Sequence, residues 1–366
     1  MNELNLHWQR PAFGKAVFRA EPEDFFVEEI LGHEPDGEGE FLLLFIEKRL
    51  QNTHWVAEQL VKKLGLPAKA ATFSGRKDRH AVTRQWICLH LINKPTPDEW
   101  LGQEVLTGCT VLSMARHRRK LRLGQHKKNR FRIRLRKIEG VNESKIVEQI
   151  EQKLMQLKAH GMPNYFGEQR FGHEGANLRR ALNWLQTDKR PRGRTAQSMA
   201  LSSLRSWLFN EWLAKRVSIK PYYEAIEGEC FILDGANSSF VWEQRGNQQV
   251  LNERLQTGDI HPSLPLVGEA EPEADFSTKA TLAAKQFEQT VFEELLAQWP
   301  LLQALPSFFA KQRVSPARRA TRVNVDNFSW QWQNGGQLEL YFELATGSFA
   351  TALLGECFEL VDASHT

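Results

Sequence analysis

Hydrophobic and polar positions change period several times along this chain, and each change predicts an element. Two short apolar runs, 25–30 and 41–46, flank the glycine- and acid-rich segment 32–39, a pattern that predicts a strand, a loop and a second, more buried strand. Asn52 or Thr53 suits a helix N-cap; Val56, Leu60 and Leu64 then recur on one helix face, and Gly65 stands where a left-handed end is expected. Residues 86–91 form a compact apolar run, expected as a strand, and a loop with two prolines covers 93–98. From residue 129 the period is two: Asn129, Phe131, Ile133 and Leu135 share one face, while Arg130, Arg132, Arg134 and Arg136 share the other. Helical spacing returns with Ile146, Ile150, Leu154 and Leu157, begun by Asn142 or Ser144 and ended by Gly161 and Pro163.

The middle third has a different character. Residues 177–216 are helical in pattern, with Leu201, Leu204, Leu208 and Trp212 on one stripe after the basic loop 189–194. Residues 251–275 mix prolines, glycines and acids and are expected as loop. A helix is expected over 278–299, with Ala283, Phe287, Val291 and Leu295 facing one way and Pro300 ending it. After 322 the pattern returns to strands, 328–332 and 338–344, joined by a turn at Asn334-Gly335-Gly336, and Ser348 can cap a terminal helix with Phe349 as its first aromatic. A chain of 366 residues has room for two domains. The pattern divides it into 1–160, 161–322 and 323–366, the helix-rich middle separating two strand-rich parts.

The formal charge is only +4, but residues 116–137 hold 12 Lys and Arg with no Asp or Glu, and the remainder of the chain nets −8. So concentrated a charge lacks the mixed signs of an ordinary surface and points to a polyanion, with phosphate contact by at least part of the segment. Cys88, Cys109, Cys230 and Cys357 are scattered without metal-binding or disulfide spacing. The start lacks the basic-then-apolar order of a signal peptide, and the longest apolar run is far below membrane-spanning length. A soluble intracellular protein is expected, with no membrane association, metal, nucleotide cofactor or evident protein partner.

The stretch with the strongest chemical character is 73–85, FSGRKDRHAVTRQ. Gly75 would let the chain turn sharply and display Asp78, and any of Lys77, Arg79, His80 and Arg84 that surround it in space would favour its ionised form. A displayed carboxylate suits a nucleophile or base; the blander alternative is a surface turn whose aspartate balances its neighbours. Phe25, which follows Glu23 and Asp24, is of a kind more often core than ligand-facing. Asn129, on the apolar face of its strand, must be either a satisfied core residue or one that meets a ligand edge. The segment 164–172, NYFGEQRFG, crowds two glycines and three aromatics together, and its residues assign it no chemical role.

Five stretches in order, PEDFFVEE (22–29), GRKDRHAVTRQ (75–85), RRKLRLG with KKNRF (118–124 and 127–131), NYFGEQRFG (164–172) and GSFAT (347–351), carry a resemblance. Over nearly its whole length the sequence resembles the TruD family of tRNA pseudouridine synthases. The resemblance implies an α+β fold: a pseudouridine synthase catalytic domain with a mainly antiparallel sheet, interrupted by an inserted TRUD domain, with a cleft between them. It implies isomerisation of uridine to pseudouridine at position 13 of tRNA, with no cofactor or metal. It further implies that Asp78 is the catalytic aspartate, that Phe25 and Phe349 line the substrate pocket and that Asn129 contacts substrate. Arg116, Arg118, Arg119, Lys120, Arg122, Lys127 and Lys128 are the expected phosphate contacts. The uridine must leave its stack, and aromatic contact offsets part of that cost. Asp78 would either attack the anomeric carbon or remove a sugar proton, and both roles need an ionised carboxylate beside the ribose. Two other classes fit the composition: a non-catalytic RNA-binding protein or chaperone, and an RNA-cleaving enzyme using His80, His117 or His126 as acid and base.

Overall fold

The computed structural model describes residues 6, 8, 12–236, 238–242, 248–269 and 281–365. These fall into two compact units. A strand-rich unit comprises 12–154, 325–347 and the end of the chain from Cys357, and a helix-rich unit comprises chiefly 155–324 and 348–356. The short segment 348–356, which bears Phe349, belongs with the helix-rich unit. Among the described residues no helix is long and apolar enough to cross a membrane.

In the strand-rich unit one nine-stranded sheet runs Asp326–Gln333, Gln337–Ala345, Lys128–Leu135, Phe25–Ile30, Val82–His90, Phe41–Arg49, Cys109–His117, Glu104–Leu106, and Ala71–Phe73 also pairs with Val82–His90. All its pairs are antiparallel except Phe25–Ile30 beside Val82–His90. The unit is therefore α+β with a mainly antiparallel sheet. Leu42, Leu44, Ile87, Leu89 and Val111 bury one face against Val56, Leu60 and Val61 of the helix Thr53–Lys63. That helix starts at Asn52, whose side-chain oxygen accepts from the N–H groups of His54 and Trp55 at 2.9 and 3.4 Å, and Gly65 beyond its end has φ +60°. Along one edge, Val82–His90 pairs with Phe26–Glu28 at its start and with Ala71–Phe73 near its end. Segment 74–81 leaves the sheet in the fork between those two partners.

The arginine face of Lys128–Leu135 obtains its counter-charges from neighbouring strands. Arg130 meets Glu28 and Glu343 at 2.9 Å each, Arg134 meets Glu339 at 3.2 Å, and Lys128 meets Asp326 at 2.8 Å. Arg136, just beyond the strand, meets Asp24 at 2.8 Å and Glu21 at 3.1 Å. The lack of carboxylates within 116–137 thus does not leave this half of the segment unpaired, because cross-strand pairs form between residues far apart in sequence.

A second, two-stranded parallel pair joins Phe13–Phe18 to Phe358–Asp362, with Phe18 opposite Asp362. It brings the chain just after residue 18 beside the chain near its end.

In the helix-rich unit, Ala176–Thr187, Arg194–Ile219, Leu282–Gln298 and Leu305–Gln312 accompany a four-stranded antiparallel sheet ordered Ser239–Val241, Cys230–Leu233, Ile260–Leu266, Ala317–Ala320. The described part of 251–275, expected as loop, contains the end of the helix Gln248–Thr257 and the strand Ile260–Leu266; residues 270–275 lie outside the described residues. The strand shows no alternation because both of its faces are buried, and its two prolines lie opposite Phe231 and Arg318. The helix after 281 buries Ala284, Glu288, Val291, Phe292 and Leu295 rather than a stripe through Ala283 and Phe287, since Glu288 is paired with Arg318 at 2.7 Å. Its expected start at 278 lies outside the described residues.

Candidate active site

Asp78 lies on the forked segment 74–81, with a quarter of its side chain exposed. Lys77, Arg79 and Arg84, its neighbours in sequence, bind other groups. Lys77 pairs with Glu29, Arg84 with Glu47 and Glu28, and the Arg79 Nε donates to the Leu50 carbonyl at 3.4 Å. Arg19 pairs with Asp78: its guanidinium donates to Asp78 Oδ2 and, through the other side of the fork, to both oxygens of Asp362. The His80 backbone N–H supplies a further donor to Asp78 Oδ1 at 3.2 Å. Burial works to raise the Asp362 carboxyl, but hydrogen bonds from Ser364 and Arg19 outweigh it and hold the group below its ordinary value.

Two buried groups shape this segment. Lys48, fully buried, donates to the Asp78 carbonyl at 2.9 Å and the Gln51 carbonyl at 2.7 Å. Burial lowers its pKa to about 8, against the opposing pull of the Asp78 charge. Between about pH 8 and Lys48's ordinary 10.5, the unfolded chain holds the proton and the folded chain does not. The stability contributed at this site therefore rises with pH across that window, by up to about 1.4 kcal/mol per pH unit. Urea unfolding of the parent and of Lys48→Met from pH 7 to 10 checks this: the gap should move in favour of the parent above pH 8, and a gap independent of pH would contradict it.

The second group is Glu29, whose carboxylate accepts from Lys77 Nζ at 2.5 Å, Ser74 Oγ at 2.9 Å and the Trp86 N–H at 3.0 Å. It thereby satisfies a backbone donor at the fork where no strand partner is available. A Cβ on Gly75 would come within 3.0 Å of the Lys77 amine, the Glu29 carboxylate and the His126 ring. Close packing, not a left-handed backbone, is what requires glycine here.

Phe25 is 6 % exposed. Its ring packs 6.3 Å from both Phe18 and Phe131, and the Arg19 guanidinium lies 5.7 Å from its centroid. Phe25 and Asp78 thus share Arg19. Asn129 lies opposite Glu29 on the next strand and beside His126; the two side chains approach without a well-formed hydrogen bond, and the Asn129 amide oxygen is buried. Burial pushes the His126 imidazole below its ordinary pKa, favouring its neutral form. His117 is held by Asp36 at 2.8 Å.

Phe349 is described within the helix-rich unit. It occupies the N-cap position of the helix Ala350–Gly355, where no side chain caps the helix, so Ser348 does not act as the expected cap. Its half-buried ring stands edge-on to Phe166 at 6.3 Å, over Gly167, where a Cβ would come within 3.3 Å of it. The segment 164–172 therefore supports Phe349. Phe166 is itself fixed by the Asn210 carboxamide, which bonds its N–H and C=O at 2.9 Å each, and by Arg319, 3.9 Å from its ring centroid.

The two phenylalanines should respond differently to truncation. Phe25→Ala, which empties a packed site, should lower unfolding free energy by about 3 kcal/mol or more. Phe349→Ala, at a half-buried site, should lower it by about 1 kcal/mol. Urea denaturation of both variants decides this, and equal losses would refute the distinction.

Of the expected phosphate contacts, three are engaged by the protein. Arg116 donates to Thr96 and to the Leu91 and Lys94 carbonyls, Arg118 pairs with Glu38, and Lys128 pairs with Asp326. Arg119, Lys120 and Arg122 line a cavity of about 590 Å³ on the strand-rich unit. Lys127 lies against Gly32, where a Cβ would meet its side chain.

Sequence reasoning did not single out Arg19, Asp362, Lys48 or Glu29. Lys48, whose side chain points into the core, had a signal in a cation closing an apolar run.

Comparison with known proteins agrees with this architecture. A crystal structure described as that of a tRNA pseudouridine synthase D from Methanosarcina mazei shares the fold with a TM-score of 0.72, covering 100% of this chain and 98% of that one at 21% identity. A tRNA pseudouridine synthase D from Pectobacterium atrosepticum is 38% identical over 351 residues, 96% of this chain and 94% of that protein. The family model for tRNA pseudouridine synthase D (TruD) matches residues 6–184 and 192–357. By that match, across nearly its whole length, the chain belongs to the tRNA pseudouridine synthase D (TruD) family.

Proposed function

We propose that this protein isomerises uridine to pseudouridine in tRNA, at position 13, in the cytoplasm, with Asp78 as the catalytic carboxylate. The observation that carries this reading is the placement of Asp78: a partly exposed carboxylate on a rigidly pinned segment, charge-paired to Arg19, in a chain of this family. The reaction breaks the bond from the ribose anomeric carbon to N1 of uracil and forms one from the same carbon to C5; C5 gives up a proton and N1 gains one. Atoms and electrons balance within one nucleotide, so the overall change needs no electron acceptor or donor. Asp78 acts on the ribose as its base or its nucleophile. Phe25 and Phe349 offer aromatic surface to the extruded uracil, and the Asn129 amide, whose oxygen lacks a protein partner, offers a hydrogen-bonding edge. Arg119, Lys120, Arg122 and Lys127 contact phosphate.

Incubation of the purified protein with unmodified tRNA, followed by mapping of pseudouridine, tests the proposal. Conversion of the uridine at position 13 is expected. Unchanged uridine there, with tRNA still bound, would reduce the protein to an RNA binder.

A further inference from the structure

The Phe41–His90 wall of the cavity holding Arg119, Lys120 and Arg122 is far from Asp78, whereas the loop that forms its other wall adjoins the start of segment 74–81, the Gly124 N–H donating to the Ser74 carbonyl at 2.7 Å. Arg49 pairs with Val82 at the Asp78 end of two nine-residue strands, and Phe41 pairs with His90 at their other end. Eight strand steps separate these ends by about 25 Å. The cavity is walled there by Phe41 and His90, whose rings stack at 4.5 Å with an interplanar angle of 14°, and by Lys69 together with the three cations of the basic loop.

Several features distinguish this site from an ordinary charged surface. Arg116, Arg118, Lys128, Arg130, Arg134 and Arg136 are all engaged by protein groups. Among the described residues, by contrast, Lys69, Arg119, Lys120 and Arg122 have no carboxylate within ion-pair distance. The basic loop is anchored, since Leu121 is 1 % exposed and packs with Leu31, Leu43 and Cys88, which holds Lys120 and Arg122 on either side of a buried plug. Gln125 accepts from the Arg122 N–H through its side-chain oxygen at 2.9 Å, leaving its NH₂ free to donate. Glu40 stands at the stack, 3.3 Å from His90 Nε2 at the ring edge. With one ring face on Phe41, the His90 side chain remains 35 % exposed.

We propose that this cavity is a second RNA-binding site, in which an unpaired base stacks on His90 while Lys69, Arg119, Lys120 and Arg122 hold the adjoining phosphodiesters. Its volume lies within the range of nucleotide-sized pockets. An unpaired base fits the chemistry because a stacking wall needs a free base face, which duplex RNA does not offer. The inference rests on RNA being the substrate and extends that reading to a base contact on His90, at the opposite end of its strand from Asp78.

The test measures equilibrium binding of the full-length protein to tRNA, to a short single-stranded RNA and to the same RNA as a duplex. His90→Ala should weaken tRNA and single-strand binding at least about fivefold and leave duplex binding unchanged. His90→Phe, which keeps a flat ring and loses the Glu40 contact, should restore parental affinity. Replacing Arg119, Lys120 and Arg122 together by alanine should flatten the log–log salt dependence for the single strand by about 2, or roughly 0.7 for each of three phosphates. His90→Phe binding as weakly as His90→Ala, or an unchanged salt slope in the triple variant, overturns the site. Circular dichroism of each variant confirms that it is folded. Parental pseudouridine formation, assayed alongside, separates the two readings. Normal conversion with parental binding in every variant refutes the cavity alone, and absent conversion with weakened binding refutes the catalytic reading alone.

Discussion

Asp78→Asn is expected to bind tRNA with nearly parental affinity and to form pseudouridine at least about a thousandfold more slowly, a loss of about 4 kcal/mol in the barrier. An amide of the same shape keeps the His80 N–H contact at Oδ1 and leaves the Lys48 bond to the Asp78 carbonyl untouched, so the segment 74–81 stays in place. The substitution removes the negative charge and, with it, the Oδ2 acceptor that faces Arg19, where the amide presents a donor instead. Arg19 retains Asp362 as a full ion-pair partner, so the substitution does not strand a buried cation. Single-turnover conversion of labelled tRNA by the folded variant is the measurement. A rate within tenfold of the parent would show that Asp78 is a structural carboxylate, and the reaction would then need another base or nucleophile.

Local periodicity revealed most of the elements around this residue. The strands Phe25–Ile30 and Phe41–Arg49, the Asn52-capped helix and the alternating strand Lys128–Leu135 each follow from spacing within a dozen residues. Asp78 stood out because one carboxylate lay among several cations, yet Lys77, Arg79 and Arg84 turned to other partners. What makes its surroundings was not legible, because it depends on pairing across the whole chain. Arg19 reaches Asp78 and Asp362 only because the first strand lies parallel to the last. Similarly, the carboxylates that neutralise Arg130, Arg134 and Arg136 come from residues 21–28 and 339–343. The helix-rich unit was hardest to anticipate where both faces of a strand are buried, as at Ile260–Leu266, or where a buried ion pair such as Glu288–Arg318 shifts a helix stripe by one residue.

Arg19→Ala is expected to be damaging in two separable ways. Arg19 is 9 % exposed in its side chain and bridges two carboxylates, so its loss leaves Asp78 and Asp362 facing one another without a cation. Breaking a buried pair costs about 3–5 kcal/mol, and the partial exposure of both aspartates reduces this to about 2–4 kcal/mol at pH 7. Arg19 also adopts φ +57°, a conformation that a non-glycine residue holds only when its surroundings enforce it. Without the guanidinium, nothing on that side fixes the Asp78 carboxylate, and a shift of about 1 Å is enough to slow turnover roughly a hundredfold. The pH dependence follows from Asp362, which Ser364 and Arg19 hold below the ordinary 3.8 of an aspartate. A carboxyl depressed in the folded state contributes stability above its unfolded pKa and loses it as pH falls through its folded pKa. The parent should therefore lose its advantage over Arg19→Ala as pH falls below about 4. Urea unfolding at pH 7 and in that acid range, with single-turnover rates at pH 7 and a double-mutant cycle with Asp362→Asn, measures all three effects. Stability within about 0.5 kcal/mol of the parent together with parental turnover would show that Arg19 is dispensable and that Asp78 is oriented by its own backbone alone.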